Sequence, residues 1–77
     1  IEVLQPLEIG REGAGVRLSY DHAASRRHAS LTAGPSGLMI QDLGSTNGTY
    51  VNNQRVQTAI LKPGDLIRIG TTTFRVE

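Results

Sequence analysis

Apolar and polar residues alternate along this chain in short runs, and small turn-forming residues divide the runs. "IEVLQ" (1–5) alternates until Pro6 breaks it, and "LEIG" (7–10) comes next. "VRLSY" (16–20) puts Val16, Leu18 and Tyr20 on one face. "HASLTA" (28–33) puts His28, Ser30 and Thr32 on one face and Ala29, Leu31 and Ala33 on the other, as period-two strands do. "LMIQDL" (38–43) reads as a strand with a partly continuous apolar character, and "LIRIG" (66–70) and "TFRVE" (73–77) alternate well. "GPSG" (34–37) and "KPGD" (62–65) are turns. "TYVN" and "QRVQ" flank Asn52-Asn53, a hairpin turn, because asparagine tolerates positive φ.

No segment sustains a 3.6-residue period with caps. Turn signals recur roughly every 8–12 residues, the spacing of a small all-β sandwich or barrel. The longest irregular stretch is "SYDHAASRR" (19–27), expected to form a mobile loop or one short helical turn. On such scaffolds the functional groups sit on the loops.

The chain has 77 residues, enough for one domain, 1–77, and no second core. It has no cysteine, so neither a disulfide framework nor a Cys-rich zinc site supports it. His22 and His28 are thin material for a metal site, and no cofactor is expected. Eight basic and seven acidic residues give a net charge of +1, which does not predict bulk binding to nucleic acid or membrane. Tyr20, Tyr50 and Phe74 are too few for a base-stacking platform, and no apolar run reaches membrane-spanning length. Because the chain begins at Ile1, it is read as a domain of a larger protein. The absence of cysteine suits a reducing compartment, and an intracellular, cytoplasmic location is expected.

Polar density outside the strands concentrates in three places: Gly10-Arg11, Ser25-Arg26-Arg27-His28, and Gly44-Ser45-Thr46-Asn47-Gly48. If these loops share one end of a sandwich, guanidiniums, hydroxyls, an amide and backbone N–H groups converge. No acidic residue lies inside the clusters. That is the inventory of an anion site, and of a phosphate site in particular. Arginine offers a planar fork, hydroxyls donate to the remaining oxygens, and glycine lets the backbone approach closely. "GSTNGT" lacks the lysine of a nucleotide-binding P-loop.

"IGR" (9–11), "SRRHA" (25–29), "DLGSTNGTYVN" (42–52), "LKPGDLIRIG" (61–70) and "FRV" (74–76) occur in an order and spacing that resemble those of the forkhead-associated (FHA) domain, a phosphothreonine-peptide-binding module. The resemblance implies an all-β sandwich of two sheets with about eleven strands and the ligand bound across loops at one end. The chain starts at what resembles the second strand, so the family's first strand is short, absent or outside it. Carried over by position, Arg11, Ser25, Arg26 (through its backbone N–H) and Thr46 would contact phosphate. Asn47 would bond the peptide main chain. Gly10, His28 and Gly48 would organise the loops, Gly10 by turning the chain and packing against the histidine. The partner implied is a phosphothreonine-containing protein, a Ser/Thr kinase substrate, in phosphorylation-regulated signalling. Ala23 and Ala24 depart from the pattern, since the family often has a larger apolar residue at the second position, and a looser loop is expected there.

Other readings stand beside this one. Ser25, His28 and one of Asp21, Asp42 or Asp65 supply the parts of a hydrolytic triad, but no Gly-x-Ser-x-Gly elbow accompanies them. The same loops could serve a phosphate-independent assembly module. Ser25 could cap a helical turn, Arg26 and Arg27 could be a solvated pair, and "STNG" could be only a hairpin turn. Asn47-Gly48-Thr49 matches the N-glycosylation pattern and is read as accidental in an intracellular domain. Asp42 and Asp65 are assigned to turns.

Overall fold

The computed structural model describes residues 7–12, 15–35 and 37–76. Nine strands run through them: β1 Leu7–Gly10, β2 Val16–Arg17, β3 Ala29–Gly34, β4 Gly37–Asp42, β5 Thr49–Val51, β6 Gln54–Val56, β7 Thr58–Leu61, β8 Leu66–Ile69 and β9 Thr72–Arg75. The first expected strand, "IEVLQ", lies outside the described residues. One sheet has the order β2-β1-β3-β4-β7 and the other β6-β5-β8-β9. The fold is therefore all-β as the alternation implies, and of the sandwich and the barrel that the pattern left open it is the two-sheet sandwich.

The alternation sets which side chains meet between the sheets. Ile9, Leu18, Ala29, Leu31, Ile40, Leu61, Ile67 and Ile69 are buried and form the core with Ala24. In β8, Ile67 and Ile69 point inward while Leu66 and Arg68 point out. The β5–β6 hairpin turns at Asn52 and Asn53 with φ of 52° and 68°, the left-handed pair that a two-residue hairpin needs. Asn52 also ties the hairpin to the turn before β8. Its amide donates to Asp65 and its Oδ1 accepts the Leu66 N–H, each at 3.0 Å.

Three expectations change. "VRLSY" forms a strand only over Val16–Arg17. Leu18 is buried as expected, but Tyr20 is 67% exposed, because the chain turns after Leu18 and the Asp21 N–H bonds the Leu18 carbonyl. The 19–27 stretch contains turns and no helix, so Ser25 caps none. "TAIL" forms β7, an edge strand that the alternation did not reveal.

Register determines where the loops go. Ile9 pairs with Ala29, and Ala29 pairs with Asp42 on its other side. These three residues stand abreast across β1, β3 and β4. The chain leaving β1, the chain entering β3 and the chain leaving β4 must therefore emerge at the same end of the sheet. Those segments are Arg11, the Ser25–His28 stretch and the 43–48 loop.

Candidate functional site

Arg11, immediately after β1, donates its backbone N–H to the Ser25 carbonyl at 3.0 Å, and Glu12 does the same to the Arg26 carbonyl. These contacts bring the two loops so close that a side chain at Gly10 has no room. A Cβ there would run into the Arg26 carbonyl oxygen and lie 2.8 Å from that of Ser25. The atoms that face a side chain at Gly10 are thus those of the Ser25–Arg26 backbone.

His28 is fully buried and joins the second loop to the third. Its Nδ1 accepts the Ser25 backbone N–H at 3.1 Å. That contact fixes the tautomer: Nε2 carries the proton and donates to the Gly48 carbonyl at 2.7 Å. Ser25 adds a second link, its Oγ accepting the Thr46 N–H at 3.0 Å. Asn47 adds a third, its amide donating to the Ala23 carbonyl at 2.7 Å. His28 thus links the Ser25 N–H of the second loop to the Gly48 carbonyl of the third. The same bonds leave no Ser-His-Asp arrangement, since both imidazole nitrogens are engaged with backbone groups and none of the aspartates bonds the ring.

The third loop is wound around Asp42. This buried carboxylate accepts the N–H groups of Gly44 and Ser45 and the hydroxyls of Ser45 and Thr49. Burial pushes the Asp42 pKa up, but the Ser45 and Thr49 hydroxyls and the two N–H groups together hold it below its ordinary value. The Ser45 Oγ also accepts the Gly48 N–H at 3.0 Å. Two of the three hydroxyls in "DLGSTNGT" are thus spent inside the loop, and only Thr46 stays exposed. Asp42 is the residue whose importance the sequence does not announce, because "turn aspartate" undersells a carboxylate with four donors.

A second buried carboxylate, Asp21, pins the 19–27 stretch to the turn between β8 and β9. It accepts from the Ala23 and Thr71 N–H groups and the Thr72 hydroxyl. The Thr72 hydroxyl leads the interactions that lower its pKa. Ala24 is buried in the core, so the small residues at 23 and 24 do not leave the loop slack.

The arginines divide by partner. Arg27 makes a bidentate pair with Glu8, at 3.1 and 2.7 Å, and Arg26 lies 3.5 Å from Glu12 at the surface. The acids missing from the polar clusters come from β1 and the turn after it. Arg11 differs, because its Nε is buried and has no hydrogen-bond partner. A buried unpartnered donor costs free energy unless something accepts from it. Among the arginines of the three clusters, Arg11 is the one with a buried side-chain nitrogen left without a hydrogen-bond partner. Thr46 is held at the Ser25 hydroxyl through its backbone N–H, and the Arg26 carbonyl is committed to the Glu12 N–H. Among the described residues no cluster of His, Cys, Asp and Glu is suited to hold a metal ion.

Comparison with known proteins gives consistent matches. A family profile described as "FHA domain" matches residues 7–70. The FHA domain-containing protein FhaB of Mycobacterium tuberculosis is 42% identical over 73 residues, which cover 94% of this chain and 47% of FhaB. This chain thus spans about half the length of the curated relatives it first matches. A structure solved in a study of phosphothreonine-dependent FHA domain interactions aligns with a TM-score of 0.81 at 40% identity, covering 88% of this chain and 71% of that one. The FhaA FHA domain, solved in complex with the intracellular domain of Rv3910, aligns at 0.84 and 37% identity, covering 95% and 81%.

Proposed function

The chain belongs to the FHA domain family, and from that premise we propose that it is a phosphothreonine-dependent protein-binding module that carries out no catalysis. The observation that carries this reading is the buried, unpartnered Nε of Arg11 next to loops already locked to one another by His28 and Ser25 and braced within by Asp42. A phosphate monoester supplies the acceptor oxygens that this guanidinium lacks, in a charge-assisted, fork-like contact. The Ser25 and Thr46 hydroxyls and the Arg26 N–H complete the set of donors. Preformed loops limit the ordering entropy that binding must overcome.

The Asn47 amide N–H is held by the Ala23 carbonyl, which aims its Oδ1 at a peptide N–H and sets the ligand's register. The partner is a phosphothreonine-containing protein, a substrate of a Ser/Thr kinase, in an intracellular, cytoplasmic setting. Neither nucleic acid nor membrane is a partner. A structurally similar FHA domain takes part in phosphothreonine-dependent interactions, which supports the same chemistry here.

The test is calorimetric titration with matched peptides carrying phosphothreonine, phosphoserine, aspartate or unmodified threonine. A niche for the threonine methyl contributes about 0.8 kcal/mol by burial alone, and a tight fit brings the expected preference over phosphoserine to roughly tenfold. Carboxylate mimics, with less charge and fewer acceptors, should bind poorly. Binding of the unmodified peptide as tightly as the phosphorylated one would instead identify a phosphate-independent assembly module.

A further inference from the structure

The outer face of the second sheet carries two arginines set in one row. Its outward positions include Arg55 on β6, Tyr50 on β5, and Leu66 and Arg68 on β8, with Thr73 on β9. None of these is acidic. Arg55 pairs directly with Tyr50, and Tyr50 with Arg68. Directly opposed residues of antiparallel strands share a face, so the three form one row across three strands.

The Arg68 guanidinium carbon sits 4.3 Å from the centre of the Tyr50 ring. A guanidinium over an aromatic face keeps N–H groups available for a carboxylate. At the other end of the row, Arg55 lies against the third loop of the site. A Cβ at Gly48 would come within 2.6 Å of its Nε and 3.1 Å of its Cζ. Arg55 thus touches the residue next to Asn47, and the row begins where the proposed peptide contacts end.

Among the described residues the carboxylates are engaged elsewhere. Glu8 and Glu12 pair with Arg27 and Arg26. Asp21 and Asp42 are buried in their loops. Asp65 accepts from Asn52 and Lys62. Among the described residues neither Arg55 nor Arg68 has a carboxylate partner, and both are exposed.

We propose that the Arg55–Tyr50–Arg68 row is a second subsite, which takes acidic side chains flanking the phosphothreonine of the same ligand as it leaves the Thr46–Gly48 loop. The assignment rests on the phosphothreonine reading and adds the class of sequence that this protein prefers. Charge complementarity and contact with the first site select the occupant. Arg55 and Arg68 read two carboxylates, and Tyr50 holds the Arg68 fork in place.

The experiment uses phosphothreonine peptides of identical core with three glutamates or three glutamines on the amino-terminal or the carboxy-terminal side. Titrations at physiological salt compare the wild-type protein with Arg55→Gln, Arg68→Gln and the double variant. Glutamate on one side should tighten binding about fivefold, as two exposed charge pairs would. The gain should shrink as salt rises. Each single variant should lose part of the gain and the double variant nearly all of it. Affinity for the glutamine-flanked peptides should stay within about twofold. Equal wild-type affinity for all flanked phosphopeptides would overturn the subsite while leaving phosphothreonine binding intact. So would a glutamate preference that survives in the double variant. If no phosphorylated peptide binds, the phosphothreonine reading itself fails and the subsite falls with it.

Discussion

Residues of similar chemistry do different work here according to what already bonds them. The Arg11 side chain, with an unpartnered Nε, makes no hydrogen bond or ion pair with the described residues, so Arg11→Ala, which keeps the backbone bond to Ser25, should leave the thermal midpoint unchanged or slightly raised. The same change should weaken phosphopeptide binding by about 1.5–3 kcal/mol, the worth of a charge-assisted contact. Unchanged affinity in calorimetry would remove Arg11 from the site. Asp42 is the opposite case. Asp42→Ala would strand two hydroxyls and two N–H groups and should lower stability by about 3 kcal/mol in urea unfolding. Asp42→Asn keeps one acceptor and should lose less. His28→Ala should reduce stability and binding together, because it leaves the Ser25 N–H and the Gly48 carbonyl without partners. Full stability with weak binding would instead mean that the ring contacts the ligand. The identities of Arg11, Ser25 and Thr46 as candidates were legible in the sequence. The role of Asp42 was not, because a count of donors exists only once the loop is folded around it.

At the scale of the element, the strands were legible where alternation is strict and turns are chemically marked. β8, β9 and the Asn52-Asn53 hairpin emerged as expected. β7 did not, because an edge strand of four residues with Ile60 at 46% exposure lacks a clear buried face. Tyr20 misled because its spacing continues the alternation of Val16 and Leu18 into a segment that has already turned. The convergence of loops was conditional on register, which only pairing supplies: Ile9, Ala29 and Asp42 abreast. Gly10→Ala tests that convergence. The added methyl would meet backbone rather than a movable side chain, so the loops must part. Overpacking of this kind costs about 1–3 kcal/mol, and phosphopeptide affinity should fall with it. A variant with wild-type stability and binding would show that the two loops do not sit this close in solution.

For the molecule as a whole, the carboxylates tie loops to sandwich, and acid should release them. Arg27 holds Glu8 below its ordinary value of 4.5, and hydrogen bonds hold Asp21, Asp42 and Asp65 below 3.8. A group whose pKa is lower in the folded state contributes its stability above the unfolded value and loses it as pH falls through the folded one. The urea midpoint should therefore drop steeply below about pH 4. A midpoint that holds steady at pH 3 would contradict these assignments. The bracing of the loops also has a consequence for descent. His28 grips backbone atoms, and Asp42 and Ser45 face inward, so the frame asks little of His22, Ala23 or Arg55. Duplicated copies of such a gene can diverge at those outward positions, each acquiring a new clientele, while every copy inherits the same working socket.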